Sequence, residues 1–230
     1  MKQAYFITGT DTGVGKTLVT SALLHALAGQ GCKVAGIKPV AAGCLLQDGR
    51  LLSEDAAQLA AASNVKLPAA IANPYALEPP VAPHIAARQA GVELDLEVML
   101  QACEAAAGSV DCLLVEGVGG FRVPFSDAAD SADLAVRLGL PLVMVVGMRL
   151  GCINHALLTA EAIASRGLRL AGWVANRIDP GMLVFEDNLE ALGRRLDAPC
   201  LGVIPWLPEP GFVAAATYLA PGPLLGSRRA

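Results

Sequence analysis

Short runs of apolar residues recur along the chain, and longer runs with apolar residues at helical spacing separate them. The short runs lie near Ala4–Thr8, Lys33–Lys38, Cys112–Glu116, Leu142–Gly147, Leu170–Asn176 and Cys200–Ile204. Each reads as a strand too apolar for a half-exposed sheet, which points to a parallel sheet covered on both faces. The longer runs predict helices near Lys16–Ala28, Glu54–Ala62, Leu94–Ala107, Cys152–Arg166 and Met182–Leu196. In the first of these, Val19, Ala22, Leu23, Ala26 and Leu27 share one face, His25 lies off it, and Gly29 and Gly31 offer a stop. The alternation predicts a doubly wound α/β domain with a mostly parallel sheet. Ligands of such sheets sit beyond the C-terminal strand ends. Two stretches stand apart. Leu67 to Pro83 carries several prolines and no period, and reads as a long excursion. The tail, residues 208–230, is rich in Pro, Gly and Ala and is expected to be partly mobile. No internal repeat or low-complexity tract is visible, so a single domain over residues 1–230 is expected.

Composition narrows the function classes. Hydrophobic residues make up 54% of the chain and charged ones 17%, which argues against disorder. A net charge of −4 supplies no basic field for nucleic acid or acidic lipid, and Arg228-Arg229 is too short to change that. The longest apolar stretch, Leu138 to Met148, contains Pro141 and Gly147 and suits a buried strand better than a bilayer span. No signal peptide is apparent before the first strand, and a cytoplasmic location is expected. The six cysteines, at 32, 44, 103, 112, 152 and 200, form no C-x-x-C pair and read as reduced thiols. The histidines at 25, 84 and 155 show no metal-ligand spacing.

The segment from Thr8 to Thr17, TGTDTGVGKT, carries the chemistry. A glycine-rich turn between a strand and a helix directs backbone N–H groups and the positive helix end at a phosphate. Lys16 can reach the β- and γ-phosphates, and the Thr17 hydroxyl can hold Mg²⁺. The strict pattern G-x-x-x-x-G-K-[ST] would place glycine where Thr10 stands, so the loop is a variant form of a P-loop.

Other polar residues fall at strand ends, where a P-loop NTPase-like fold would use them. Lys38 could neutralise a second anion beside the γ-phosphate, or be a solvated strand-end lysine. Asp55 opens a helix, where the macrodipole alone favours an acid. Glu116 ends a strand just before Gly117-Val118-Gly119-Gly120. With Thr17, these two acids would make an oxygen set suited to Mg²⁺. Arg149 to His155 begins a helix and offers a second potential anion site. Asn176 could read a base edge or cap a turn.

The motifs also resemble a known family. Thr8 to Thr12 with Val14 to Thr17, Lys38-Pro39-Val40-Ala41, Asn73-Pro74-Tyr75, Pro83-His84-Ile85, Val115-Glu116-Gly117 with Gly119-Gly120, Leu150 to His155, Gly172 to Asn176 and Ile204-Pro205-Trp206 are similar to dethiobiotin synthetase. The similarity runs from the first strand to about Leu207, in order and with spacing kept. It implies ATP-dependent ring closure of 7,8-diaminononanoate with CO₂, through a carbamate and a carbamic–phosphoric anhydride, to give dethiobiotin, ADP and phosphate. By resemblance Lys16 spans the phosphates, Lys38 stabilises carbamate and transferred phosphoryl, and Thr12 lies near the reacting end. Thr17, Asp55 and Glu116 would hold Mg²⁺. Gly13, Val14, Gly15 and Leu18, then Glu116 to Gly119, would line the nucleotide site. Asn176, Arg177 and the Pro205-Trp206-Leu207 segment would meet the adenine end. Gly151, Cys152, Ile153 and Asn154, from the second subunit of a homodimer, would receive the substrate carboxylate, and Ala42 would also meet the substrate. Three departures stand out. Ala42 stands where members often carry Ser, Gly13 where some carry Glu, and Arg177 where an acid also occurs. Ala42 thus lacks one hydroxyl contact, which a water can replace.

Two rival readings share the loop. One is a partner-controlled P-loop ATPase of the chromosome- or division-positioning type, whose loop carries a signature lysine where this chain has Asp11. The other is a nucleotide-binding regulatory domain without catalysis, against which Lys16, Lys38, Asp55 and Glu116 together argue.

Overall fold

A computed structural model describes residues 3–225. In chain order the elements are β1 (Gln3–Gly9), α1 (Lys16–Gly29), β2 (Val34–Ile37), β3 (Val40–Ala42), β4 (Leu45–Gln47), β5 (Arg50–Leu52), α2 (Glu54–Ala62), α3 (Ala69–Ala72), β6 (Tyr75–Leu77) and α4 (Pro83–Ala90). There follow α5 (Leu96–Ala107), β7 (Cys112–Glu116), α6 (Ser131–Leu138), β8 (Leu142–Met148), α7 (Cys152–Ser165), β9 (Leu170–Arg177), α8 (Phe185–Arg195), β10 (Cys200–Ile204), α9 (Phe212–Ala216) and a 3₁₀ turn, Gly222–Leu225.

The main sheet is wholly parallel, in the order β10-β9-β8-β1-β7-β2. After β1 the chain passes beyond β7 to β2. It returns through β7 and then runs outward through β8, β9 and β10. The strand order therefore reverses beside β1, which opens a crevice at the C-terminal strand ends. β7 and β8 are buried along their whole length, as the unbroken apolar runs require. One core layer joins α1 to one sheet face through Val19, Leu23, Leu24 and Leu27 against Ile7, Leu114 and Val143. The other face packs Phe6, Leu113 and Val115 against Met99 and Cys103 of α5. Each such fully buried leucine contributes about 1.5–3 kcal/mol relative to exposure.

All six predicted strands and all five predicted helices are present; Cys112–Glu116, Cys200–Ile204 and Glu54–Ala62 keep their expected bounds and the others have shifted ends. The helix expected from Leu94 starts at Leu96, because Asp95 accepts the N–H of Glu97 at 2.8 Å and caps it. The helix expected from Met182 starts at Phe185, after Val184 turns left-handed at φ 46°. The excursion from Leu67 is not featureless: it holds α3 and β6 and ends where Pro83 opens α4. α6 is an addition, held by a capping box between Asp130 and Asp133. In the tail, α9 packs on α1, with Phe212, Ala215 and Leu224 joining that core. Residues 226–230, the last part of the stretch expected to be mobile and the site of the Arg228-Arg229 pair, lie outside the described residues.

Candidate functional site at the strand ends

β1 leads into the loop from Thr10 to Gly15, and α1 begins at Lys16. Gly15 caps α1 at φ 87°, and a Cβ there would lie 2.2 Å from Asn176 Nδ2, so only glycine fits. Asn176 is buried and donates to the Val14 carbonyl at 2.9 Å, fastening the end of β9 to the loop. Val14 is itself buried, and a Cβ at Gly147 would lie 2.7 Å from its Cγ1. Gly13, at φ 74°, has open space around it.

Two cavities meet at Gly13 and Gly15. The larger, about 810 Å³, is lined on its polar side by Thr12, Lys16, Thr17, Lys38 and Asp55, with Ala42, Val118 and Gly119 beside them. The smaller, about 360 Å³, is lined by Leu18, Asn176, Arg177, Pro205, Trp206 and Leu207. Most residues expected at the phosphate end and at the adenine end thus line adjoining spaces joined by the loop glycines, whereas Val14, Glu116 and Gly117 line neither.

The register builds the charged end. Ile37 pairs with Val115, so Lys38 and Glu116 leave neighbouring strands side by side. Lys38 is 3% exposed and Glu116 is fully buried. The Lys38 ammonium donates to Glu116 Oε1 at 2.6 Å and to the Gly117 carbonyl at 3.1 Å, and lies 2.9 Å from Asp55 Oδ2. These three partners account for its three protons. Thr17 Oγ1 donates to the same Glu116 oxygen at 2.8 Å. Glu116 Oε2 is buried with no hydrogen-bond partner. That orphaned oxygen, beside Thr17 and Asp55, is the donor chemistry of a hard divalent cation, and the residues present fit Mg²⁺.

The charges tune one another. Burial lowers the Lys16 ammonium to about 8, nearby Lys38 adds to the fall, and Glu116, Asp55 and Asp11 oppose it. Burial also pulls Lys38 down, but the Glu116 and Asp55 carboxylates outweigh it and hold its pKa above the ordinary lysine value. Burial pushes Asp55 up, while Lys38 more than reverses this and leaves it below the usual carboxylate range. Among the described residues the Lys16 ammonium donates only to the Asp11 carbonyl, at 3.1 Å, and Asp11 is in turn paired with Arg149 at 2.6 Å.

The start of α7 stands apart. Gly151, Cys152, Ile153 and Asn154 line neither cavity. Cys152 is buried in the core beneath α7, Gly151 and Asn154 are exposed, and Leu150 is 93% exposed. Sequence reasoning missed part of the lining of the larger cavity: Pro80, Val81 and Pro83 from one stretch of chain, and Arg122, Val123 and Pro124 from another. The only signals were Pro83, quoted for a motif and given no role, and the position of Arg122 just after a strand-end glycine run.

Comparison with known proteins fixes the family. A family model described as an AAA domain matches residues 3–212. The ATP-dependent dethiobiotin synthetase of Aromatoleum aromaticum is 57% identical over 219 residues, 94% of this chain and 97% of its own. The chain belongs to the dethiobiotin synthetase family. The synthetase of Ralstonia nicotianae is 55% identical, with 96% of each chain covered. In this family the ring-forming ligase reading replaces the positioning-ATPase alternative. The solved structures show how far that rival shares the fold. MinD with Mg-ADP from Pyrococcus horikoshii superposes with a TM-score of 0.59 at 18% identity, covering 97% of this chain and 89% of that one. The MinC:MinD complex of Aquifex aeolicus gives 0.56 at 24%, covering 93% and 86%. At such identities the likeness concerns the fold alone.

Proposed function

We propose that this chain is an ATP-dependent dethiobiotin synthetase that joins 7,8-diaminononanoate and CO₂ into the ureido ring of dethiobiotin. Family membership supports the reaction class. The observation that carries the site is the buried cluster of Lys38, Glu116, Asp55 and Thr17 next to Lys16, opening on one cavity.

One amine of the substrate attacks CO₂ and loses a proton, giving a carbamate. A carbamate oxygen attacks the γ-phosphorus, forming the mixed anhydride and releasing ADP. The second amine then attacks the carbonyl carbon, closes the ring and expels phosphate. The second step brings two anions together, so its barrier falls where fixed cations face both. Lys16 spans the phosphates, and binding them raises its lowered pKa and keeps it charged. Lys38 faces carbamate and transferred phosphoryl, and must release at least one of its three present partners to do so. Thr12, with its hydroxyl close to Gly119, lies at the reacting end. Thr17, Asp55 and Glu116 would hold Mg²⁺, which when bound neutralises phosphate charge. Gly13 to Leu18 and Glu116 to Gly119 surround the phosphates. Asn176, Arg177, Pro205, Trp206 and Leu207 take the base.

The active form is a homodimer in the cytoplasm. The α7 start lines neither of the two cavities, and Leu150, Leu183 and Val184, in the loops that follow β8 and β9, are exposed, an arrangement suited to burial against a second copy. There Gly151 to Asn154 receive the substrate carboxylate of the partner's cavity. Neither nucleic acid nor membrane takes part. A net charge of −4 supplies no basic field for nucleic acid or acidic lipid.

The test is mass detection of dethiobiotin from pure protein with MgATP, bicarbonate and 7,8-diaminononanoate. The expected result is product and ADP in equal amounts, with ADP release needing diamine and bicarbonate together. ADP release driven by DNA or lipid, without product, would overturn the reading. Glu116→Gln should raise the Mg²⁺ concentration needed for half-maximal rate, and an unchanged titration would remove Glu116 from the metal set.

A further inference from the structure

The larger cavity has two characters. Besides its charged residues it is lined by Pro80, Val81, Pro83, Val118, Val123 and Pro124, which supply aliphatic surface. Apart from Lys16 and Lys38, Arg122 is the one cation lining this cavity among the described residues. The sequence reading gave it no role.

Arg122 is held at one edge. Its Nε bonds to Asp130 Oδ2. Asp130 is itself fixed: Oδ1 accepts from the N–H groups of Ala132 at 2.9 Å and Asp133 at 3.0 Å, and Oδ2 lies 3.8 Å from Arg166 Nη2. The side chain of Asp130 is only 12% exposed while that of Arg122 is 58% exposed. Both Nη groups of Arg122 lack a hydrogen-bond partner among the described residues. A guanidinium anchored through Nε loses little further freedom when its outer nitrogens take an anion, and its planar fork suits a carboxylate. The other cations of the cavity are committed elsewhere. Lys38 is bonded to Glu116, Asp55 and Gly117, and the Lys16 ammonium to the Asp11 carbonyl of the loop.

A cavity with a cationic reacting end, aliphatic lining and one anchored guanidinium matches a bipolar ligand: diamine head, methylene chain, terminal carboxylate. We propose that Arg122 is a specificity-determining residue that pairs with the carboxylate of the diamine substrate while the aliphatic lining takes its methylenes. This rests on the reaction proposed above and adds a contact from the substrate's own protomer. The carboxylate offers about four lone-pair sites, so Arg122 and the α7 start of a second subunit can share it.

The experiment compares kcat/KM for 7,8-diaminononanoate with that for 2,3-diaminononane, in which a methyl replaces the carboxylate. It uses wild type, Arg122→Met and Arg122→Lys at constant MgATP and bicarbonate. Wild type should prefer the carboxylate substrate. Arg122→Met should cut that preference about 10–100-fold through KM, with the KM for ATP unchanged. Arg122→Lys, which keeps the charge and can keep the Asp130 pair, should recover part of it. A clamp between loop and α6 would instead lower both substrates together and leave the ratio alone. An equal ratio in wild type and Arg122→Met overturns the role of Arg122 while the reaction stands. If Arg122→Met fails to fold, Arg122→Lys decides: a ratio equal to wild type overturns the proposal, and a reduced one supports it. Absence of any ureido product from wild type overturns the reaction, and the role of Arg122 with it.

Discussion

Two helices of this protein begin in nearly the same way and end up in different surroundings. α1 and α7 each span 14 residues, follow a left-handed glycine (Gly15 at φ 87°, Gly151 at φ 93°), have no side-chain cap and carry no acid in the first turn. Each therefore presents uncompensated N–H groups and a positive dipole end. At α1 those groups look into the cavities, framed by Lys38, Glu116 and Asn176 from other strands. At α7 nothing lies within 4 Å of a Cβ placed on Gly151. A bare helix start is thus a generic anion seat, and what the sheet brings beside it decides whether one chain suffices. In the proposed function α1 works within its own protomer and α7 across a dimer.

The largest effect that would break this contrast comes from the α1 side. Lys38→Ala should lower turnover by about 10²–10³-fold or more while nucleotide still binds, seen by steady-state rates and ADP calorimetry. Near-normal turnover would take Lys38 out of the chemistry. On the α7 side, Asn154→Glu sets the two roles of a helix start against each other. An acid there should stabilise the helix by about 0.3–1 kcal/mol, raising the melting temperature. It should also repel the substrate carboxylate and raise the diamine KM about tenfold. Mixing inactive Lys38→Ala with a strongly impaired α7 variant should restore about a quarter of wild-type activity, because only mixed dimers hold one intact site. No recovery after subunit exchange would show that the α7 start does not serve the partner's site.

A smaller difference should separate the glycines themselves. Gly15→Ala and Gly151→Ala each impose a left-handed conformation costing about 1–2 kcal/mol. Only Gly15→Ala must also displace Asn176, so denaturant melts should show it as the more damaging. Nucleotide affinity should drop at Gly15→Ala alone. The smallest effect is on pH. Free Lys16 loses its proton near 8, and phosphate favours the charged form. ADP affinity without metal should then be flat below about pH 8 and fall up to tenfold per unit above it, with proton uptake on binding. A flat profile to pH 10 would show that Lys16 does not meet the phosphates.

Legibility followed the range of each interaction. The buried strands were readable because parallel strands covered on both faces must be apolar throughout, as in Leu142 to Val146. The three-residue strands β3 to β6 were not, since so few residues carry no period. α6 left a readable mark, Asp130 three residues before Asp133, that pattern reading passed over. The phosphate loop was legible because its ten residues are contiguous. That Lys38 and Glu116 touch, 78 positions apart, depends on β2 pairing with β7, which local sequence does not state. Arg122 sits in a loop whose partners, Asp130 and Arg166, come from α6 and from the end of α7. No spacing rule marks such a residue.

The central claim is that carbamate oxygen and γ-phosphorus meet in the cavity at the start of α1. A rapid-quench reaction with ¹⁸O-labelled bicarbonate follows that bond directly. One labelled oxygen should appear in each phosphate released, in step with ureido product. Phosphate that takes its new oxygen only from water would contradict the account.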